Sequence, residues 1–219
     1  MPVDPSAPIE VTAFAWVPDF ARGQVRDLRV RWALEEVGES YRTRLLGGER
    51  SADYYREQPW GQVPTYTEGS LHLFESGAIV LHIAEQHEIL LPRDPVGRGR
   101  AICWLFAALN TVEPPAMALA NAELFNADKD WSAGAAATFS ENVAGRLARL
   151  SDWLGTSEWL EQSFTVGDLM MIATLRGIGD GSLVRAQPNL AAYVARGEQR
   201  PAFQRALAAQ MADFVADPV

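Results

Sequence analysis

The chain has 219 residues, with 19 Lys plus Arg against 28 Asp plus Glu, a formal net charge of −9 and 48% apolar residues. That length and apolar share suffice for one large or two modest domains with a true core. The acidic balance opposes any sequence-independent hold on phosphate backbone, which needs a basic face to release counterions, so nucleic acid is not an expected partner.

The single cysteine excludes an intrachain disulfide framework and an all-cysteine metal site, and fits a reducing, cytoplasmic setting. Met1 to Pro8 carry Asp4 and no basic residue, unlike a secretion signal. The longest uncharged apolar stretch, Ala101 to Val112, is shorter than a bilayer span, so no membrane partner is expected. Of the 19 basic residues 18 are Arg, with Lys129 the one lysine, which reads as solvated surface rather than as chemistry.

In chain order, Ile9 to Ala15 alternates as a strand, and Gln24 to Val37 carries Val25, Leu28, Trp32 and Val37 at helical spacing until Gly38 stops it. Tyr41 to Leu46 reads as a second strand and Ser51 to Glu57 as a short helix. Pro64 to Thr67 and Leu71 to Phe74 read as two strands around the turn Glu68-Gly69-Ser70, and a helix runs from Gly77 to about His87. This order predicts an α/β domain over 1–89, with helices packed on a mixed sheet. The two prolines of 90–95 mark a linker.

The remainder, 96–219, shows no convincing strand and predicts an all-helical domain. Arg98 to Asn110 continues toward Phe125 with a bend at Pro114-Pro115; Ala133 to Leu154, Thr165 to Gly177, Leu190 to Arg196 and Pro201 to Val215 follow. Thr165-Val166-Gly167-Asp168 has the spacing of a capping box, with Phe164 and Leu169 placed as a hydrophobic staple. Gly177 to Gly181 follows a helix rather than a strand and reads as a loop, not a dinucleotide site. Cys103 reads as a small buried apolar residue. His72, His82 and His87 lack metal-ligand spacing, so no metal is expected.

Two segments carry chemistry. In Gln62-Val63-Pro64-Thr65, a valine before a proline at a strand start offers its backbone N–H and C=O to an extended peptide, turned outward if the bond is cis. Twelve residues on, Glu75-Ser76 opens a helix: the acid suits an ammonium, and the serine with the first amides suits a carboxylate. Peptide backbone on one side and a zwitterion on the other describe a γ-glutamyl peptide.

With these segments in this order, together with Leu91-Pro92, the Thr165 to Asp168 box and Arg200-Pro201-Ala202-Phe203, the chain resembles the glutathione transferase superfamily. The resemblance implies a thioredoxin-like domain joined to an all-helical one, and glutathione as co-substrate. It implies a place for Gln62 in glutathione binding, Val63 as the backbone partner of the cysteinyl unit, Pro64 as the cis-proline, and Glu75 and Ser76 at the γ-glutamyl end. Arg50, thirteen residues before Val63, matches a basic position for the glycine carboxylate. It also implies a cytoplasmic homodimer of detoxifying type and an electrophile pocket lined from the helix of Trp104 and Asn110. For those two, the bland alternatives are core packing and a local cap.

The chain departs from the family at the thiol. Tyr, Ser or Cys usually follows the first strand, yet no hydroxyl or thiol occurs from Ala13 to Glu39. Trp16 to Arg26 stands there instead. The expectation is that Arg22 or Arg26, with amides near Gly23, favours the thiolate; the alternative is that both arginines form ion pairs, for instance with Asp19 or Asp27. The leading reading is a transferase that activates glutathione for attack on a small apolar electrophile. Glutathione-dependent reduction of a disulfide or peroxide, and a non-catalytic binding or interaction module, are the alternatives.

Overall fold

The computed structural model describes residues 3–215. The chain divides into two compact units, Met1–Leu91 with Gln199–Val219, and Pro92–Glu198. In the first, β1 (Ile9–Phe14), α1 (Asp27–Val37), β2 (Tyr41–Leu46), α2 (Ala52–Glu57), β3 (Thr65–Glu68), β4 (Leu71–Phe74) and α3 (Ser76–Gln86) follow in sequence. The sheet order is β2-β1-β3-β4. β1 runs parallel to β2, from Ile9 opposite Tyr41 to Phe14 opposite Leu46, and antiparallel to β3. This is the thioredoxin-like arrangement expected. A parallel pair needs a crossover, and α1 supplies it; Gly38 ends that helix with φ 77°, a left-handed conformation that glycine adopts without penalty.

β1 is central, so Val11, Thr12 and Ala13 are all buried. α1 is buried nearly all round, because α3 and β1 pack on it and so does α10 (Pro201–Asp213). The sequence pattern assigns Pro201 to Val215 to the helical domain; in the structure α10 belongs to the first unit. The reason lies in the charged residues of α1. Glu36 receives two hydrogen bonds from Arg200, at 2.6 and 2.7 Å, Glu35 receives one from Arg205 at 2.6 Å, and Arg31 reaches Asp213 at 2.6 Å. Trp32 meets Phe203 edge-on with centroids 4.9 Å apart. Charges on a buried helix face require such partners, since desolvation of an unpaired charge is prohibitive.

The second unit is helical: α4 (Pro95–Ala107), α5 (Glu113–Ala120), α6 (Ser132–Leu154), α7 (Val166–Arg176), α8 (Ser182–Arg185) and α9 (Pro188–Glu198). α4 and α5 join without a break through a π-helical turn at Ala108–Val112, and a second such turn, Asn121–Phe125, follows α5. The continuous run Pro95–Phe125 has 31 residues, longer than the apolar stretch read from the sequence, and by length and composition alone would suffice to cross a bilayer. Within this unit α4 packs on α7, and Ala101, Leu105, Ala108, Val112, Ala116 and Leu119 are buried. α8 was not legible in the sequence.

The capping box is present at the start of α7. Gly167 N–H donates to Thr165 Oγ1 at 3.2 Å and Thr165 N–H to Asp168 Oδ2 at 2.9 Å. Asp168 also accepts from Leu160 N–H and from the Tyr193 hydroxyl, both at 2.9 Å, so one buried carboxylate joins the α7 start to α9. Cys103 is exposed, contrary to the expectation of a buried small residue; it lies on the side of α4 away from Ala101 and Leu105, two positions that the 3.6-residue period sends inward.

Candidate functional site

Val63 and Pro64 enter β3 through a cis bond. β3 pairs with β4 so that Thr65 faces Phe74. Pro64, just before Thr65, and Glu75, just after Phe74, therefore leave the hairpin at the same end of the sheet. Segments twelve residues apart in sequence are thus brought together at one end of the sheet by a tight hairpin. The β1–β3 pairing, with Val11 opposite Tyr66, brings the end of β1 to the same place.

Glu75 is the one non-glycine residue with positive φ among the described residues, at φ 69° and ψ 112°. Such a conformation costs on the order of 1–3 kcal/mol and persists where the surroundings impose it, often at ligand sites. Glu75 is exposed, whereas Ser76, the first residue of α3, is buried. The helix has no side-chain cap, so its first-turn amides point outward without a capping acceptor. Arg29 of α1, itself buried, brings Nη1 to 3.4 Å from Ser76 Oγ. An exposed acid, a hydroxyl and helix amides therefore share one end of α3.

A buried polar cluster holds the Val63-Pro64 segment. Thr12 Oγ1 accepts from Thr65 N–H at 2.7 Å and lies 3.1 Å from Thr65 Oγ1 and 3.2 Å from the Tyr54 hydroxyl. Tyr54 donates to the Gln62 carbonyl at 2.5 Å. Burial pushes its hydroxyl above the ordinary tyrosine value, so it stays protonated as the donor. The Gln58 side chain accepts from Trp60 N–H at 2.7 Å and Gln62 N–H at 3.1 Å. Sequence reasoning missed Thr12, Tyr54, Gln58, Thr65 and Arg29. No local pattern marks Thr12, which finds its partners 42 and 53 residues away.

Arg50 donates through Nε to the Gly61 carbonyl at 3.1 Å and through Nη1 to the carbonyls of Gly47 and Gly48, and its guanidinium lies 4.6 Å from the Phe14 ring centroid. Those contacts tie the 47–61 segment to the end of β1, and among the described residues Nη2 meets no acceptor. Gln62 is exposed, with its backbone fixed by Gln58 and Tyr54.

After β1 the chain makes a short 3-10 turn at Asp19–Ala21 and reaches α1 with Arg26 in the N-cap position. Arg22 Nε lies 3.3 Å from Asp19, and the guanidinium sits 5.7 Å from the Phe214 ring centroid. Several amides of this segment are already committed. Those of Ala21, Arg22, Gln24, Leu28 and Arg29 each donate to the carbonyl three residues back. The Arg22–Asp19 pairing is the alternative expected from the sequence for Arg22, and several of the amides near Gly23 are already taken up by turn hydrogen bonds.

In the second unit Trp104 donates Nε1–H to Glu161 at 2.8 Å and packs on Trp153, centroids 5.3 Å apart; Asn110 is exposed on the first π turn. Among the described residues no three His, Cys, Asp or Glu side chains group as metal ligands. His72 instead meets Thr67 Oγ1 at 2.8 Å and His82 meets Gln86 at 3.0 Å.

Comparison with known proteins now bears on this geometry. Residues 20–85 match the family described as the glutathione S-transferase N-terminal domain. Glutathione S-transferase F14 of Arabidopsis thaliana is 30% identical over 158 residues, 66% of this chain and 62% of that protein. The first unit carries a glutathione S-transferase N-terminal domain. A glutathione S-transferase of Silene vulgaris is 26% identical over 179 residues, 75% of this chain and 82% of that protein. The matches with the first curated relatives span 44–62% of those proteins' lengths. The likeness in fold covers most of the chain: glutathione transferase F1 of poplar superposes with a TM-score of 0.78 at 20% identity, covering 94% of this chain and 99% of that one. A glutathione transferase of Pseudomonas putida, solved with glutathione disulfide bound, gives 0.78 at 18% identity, covering 91% and 90%.

Proposed function

We propose that the first unit binds glutathione and that the protein is a glutathione transferase acting on a small apolar electrophile. The observation that carries this reading is the β3–β4 hairpin, which brings the cis Val63-Pro64 segment and Glu75-Ser76 to one end of the sheet. The Val63 backbone would pair with the cysteinyl unit, Glu75 would take the γ-glutamyl ammonium, and Ser76 with the amides of α3 would take its carboxylate. Nη2 of Arg50 is the group offered to the glycine carboxylate.

In the reaction the thiol gives its proton to solvent, the sulfur forms a bond to the electrophilic carbon, and the leaving group departs with its electron pair. The chain's part is to ionise the thiol and hold the partners in line. Lowering a thiol from about 8.5 by roughly two units requires about 2.7 kcal/mol. Arg22 and Arg26, beside the positive end of α1, are the groups assigned to this. The reading includes a cytoplasmic homodimer of detoxifying type; the exposed Phe106, Met117, Leu124 and Phe125 along one helical run support self-association.

The test is a titration with glutathione that follows thiolate absorbance against pH. Binding with a thiol pKa clearly below the free value, raised again in Arg22→Ala or Arg26→Ala, supports the transferase reading. If neither variant shifts that pKa, the arginines are not the activators. Binding without any shift favours the non-catalytic module, for which the missing hydroxyl between Ala13 and Glu39 speaks. Turnover of disulfides or peroxides, rather than of electrophiles, would assign reduction instead.

A further inference from the structure

The loop after β1 is held from the other end of the chain. Gln210 of α10 donates to the Val25 carbonyl at 3.1 Å and to Asp27 Oδ1 at 2.8 Å. Asp27 binds Arg31 at 2.8 Å, and Arg31 binds Asp213 at 2.6 Å, with the Arg31 side chain wholly buried. Leu207 and Met211 close over Gly23, where an added Cβ would stand 3.2 Å from a Leu207 methyl. Beyond the helix, Phe214 stands against Arg22, and Val215 N–H donates to the Ala15 carbonyl at 2.9 Å.

Both ends of the loop are thus anchored, Ala15 by Val215 and Asp27 by Gln210, and between them Arg22 meets Phe214. An isolated loop of this length would sample many arrangements, and ordering it costs roughly 1–2 kcal/mol per residue in backbone entropy. The family hydroxyl needs no such support, since one short side chain on a strand end defines its position. A guanidinium on a long, flexible side chain does.

We propose that the C-terminal tail, Asp213 to Val215, positions the loop that stabilises the glutathione thiolate, with Phe214 as the positioning residue for Arg22. This rests on the glutathione-binding reading above. The charged groups around the loop are Asp19, Arg22 and Arg26 on its own segment, Asp27 and Arg31 of α1, and Asp213 of α10. Phe214 carries no charge, so its effect on the thiol must pass through the arginine.

The experiment uses the full-length protein with reduced glutathione and compares wild type with Phe214→Ala, Phe214→Tyr, Val215→Pro and Arg205→Gln. Val215→Pro removes the N–H that bonds Ala15 and suits the extended Phe214, at φ −74° and ψ 121°. Expected is a rise of about one unit in bound-thiol pKa, a tenfold loss of thiolate below that pKa, for Phe214→Ala and Val215→Pro. The Kd for glutathione stays within about threefold, because the peptide is held by Val63 and Ser76.

Phe214→Tyr, which keeps an aromatic face for Arg22, retains the wild-type pKa. Arg205→Gln breaks the α1–α10 ion pair away from the loop; it lowers the melting temperature and leaves the thiol unchanged. A wild-type pKa in both Phe214→Ala and Val215→Pro would overturn the proposal, and so would an equal rise in Arg205→Gln, which would mean general loosening. Wild type that binds glutathione with an unshifted thiol ends the proposal while leaving binding intact. Wild type that binds none ends both, and the binding isotherm tells these cases apart.

Discussion

Thr12 Oγ1 accepts the backbone N–H of Thr65 at 2.7 Å in the interior of the first unit. It joins the central strand to the strand that begins with the cis bond. Thr12→Val keeps the side-chain shape and removes the acceptor, leaving a buried N–H without a partner. The expected cost is about 1–3 kcal/mol in urea unfolding, with weaker glutathione binding as the Val63 segment loosens. Unchanged stability would show that the N–H finds another acceptor.

Glu75 offers a separation of stability from function. Glycine accommodates positive φ without steric penalty, although it raises unfolded-chain entropy by roughly 0.5–1 kcal/mol. Against a local strain of about 1–3 kcal/mol, Glu75→Gly is expected to unfold at the same denaturant concentration as wild type or a higher one, while glutathione affinity falls. A clear loss of stability would mean that the carboxylate serves the fold.

Gly167 lies where α7 approaches α4. A Cβ there would stand 2.6 Å from Trp104 Cβ and 3.0 Å from the Ala101 carbonyl oxygen. Both are rigidly placed, so Gly167→Ala must push the helices apart. The expected destabilisation is about 1–3 kcal/mol, read by thermal unfolding, despite the better helix propensity of alanine.

Glu161 accepts from Arg100 Nε at 2.6 Å and Trp104 Nε1 at 2.8 Å. The Arg100 hydrogen bond, foremost, holds its carboxyl below the ordinary value of 4.5, with the Trp104 bond acting the same way against partial burial. The folded state therefore binds fewer protons than the unfolded one, so this contribution is complete above pH 4.5 and is lost as pH falls through the folded value. Glu161→Gln is expected to show a shallower decline in melting temperature below pH 4.5 than wild type. Parallel declines would remove Glu161 from the acid response.

The strands, most helices, the capping box at Thr165 and the joint presence of Val63-Pro64 and Glu75-Ser76 were legible because each rests on local chemistry. Alternation, caps, and a proline or glycine at a turn act within a few residues. The hairpin that unites the two segments is equally local, since only Gly69-Ser70 separates its strands.

What the residues by themselves determined about this protein is its α/β-then-helical order and the absence of a hydroxyl or thiol from Ala13 to Glu39. Tertiary structure alone decided that α10 belongs with α1, that Arg50 serves the 47–61 loop, that Cys103 faces outward, and that Thr12 and Tyr54 underlie the candidate site. In sequence a charge or a hydroxyl declares what it can bond but not to what. Glu35 and Arg205 stand 170 residues apart, and only folding, by withdrawing Glu35 from water, makes Arg205 its necessary partner.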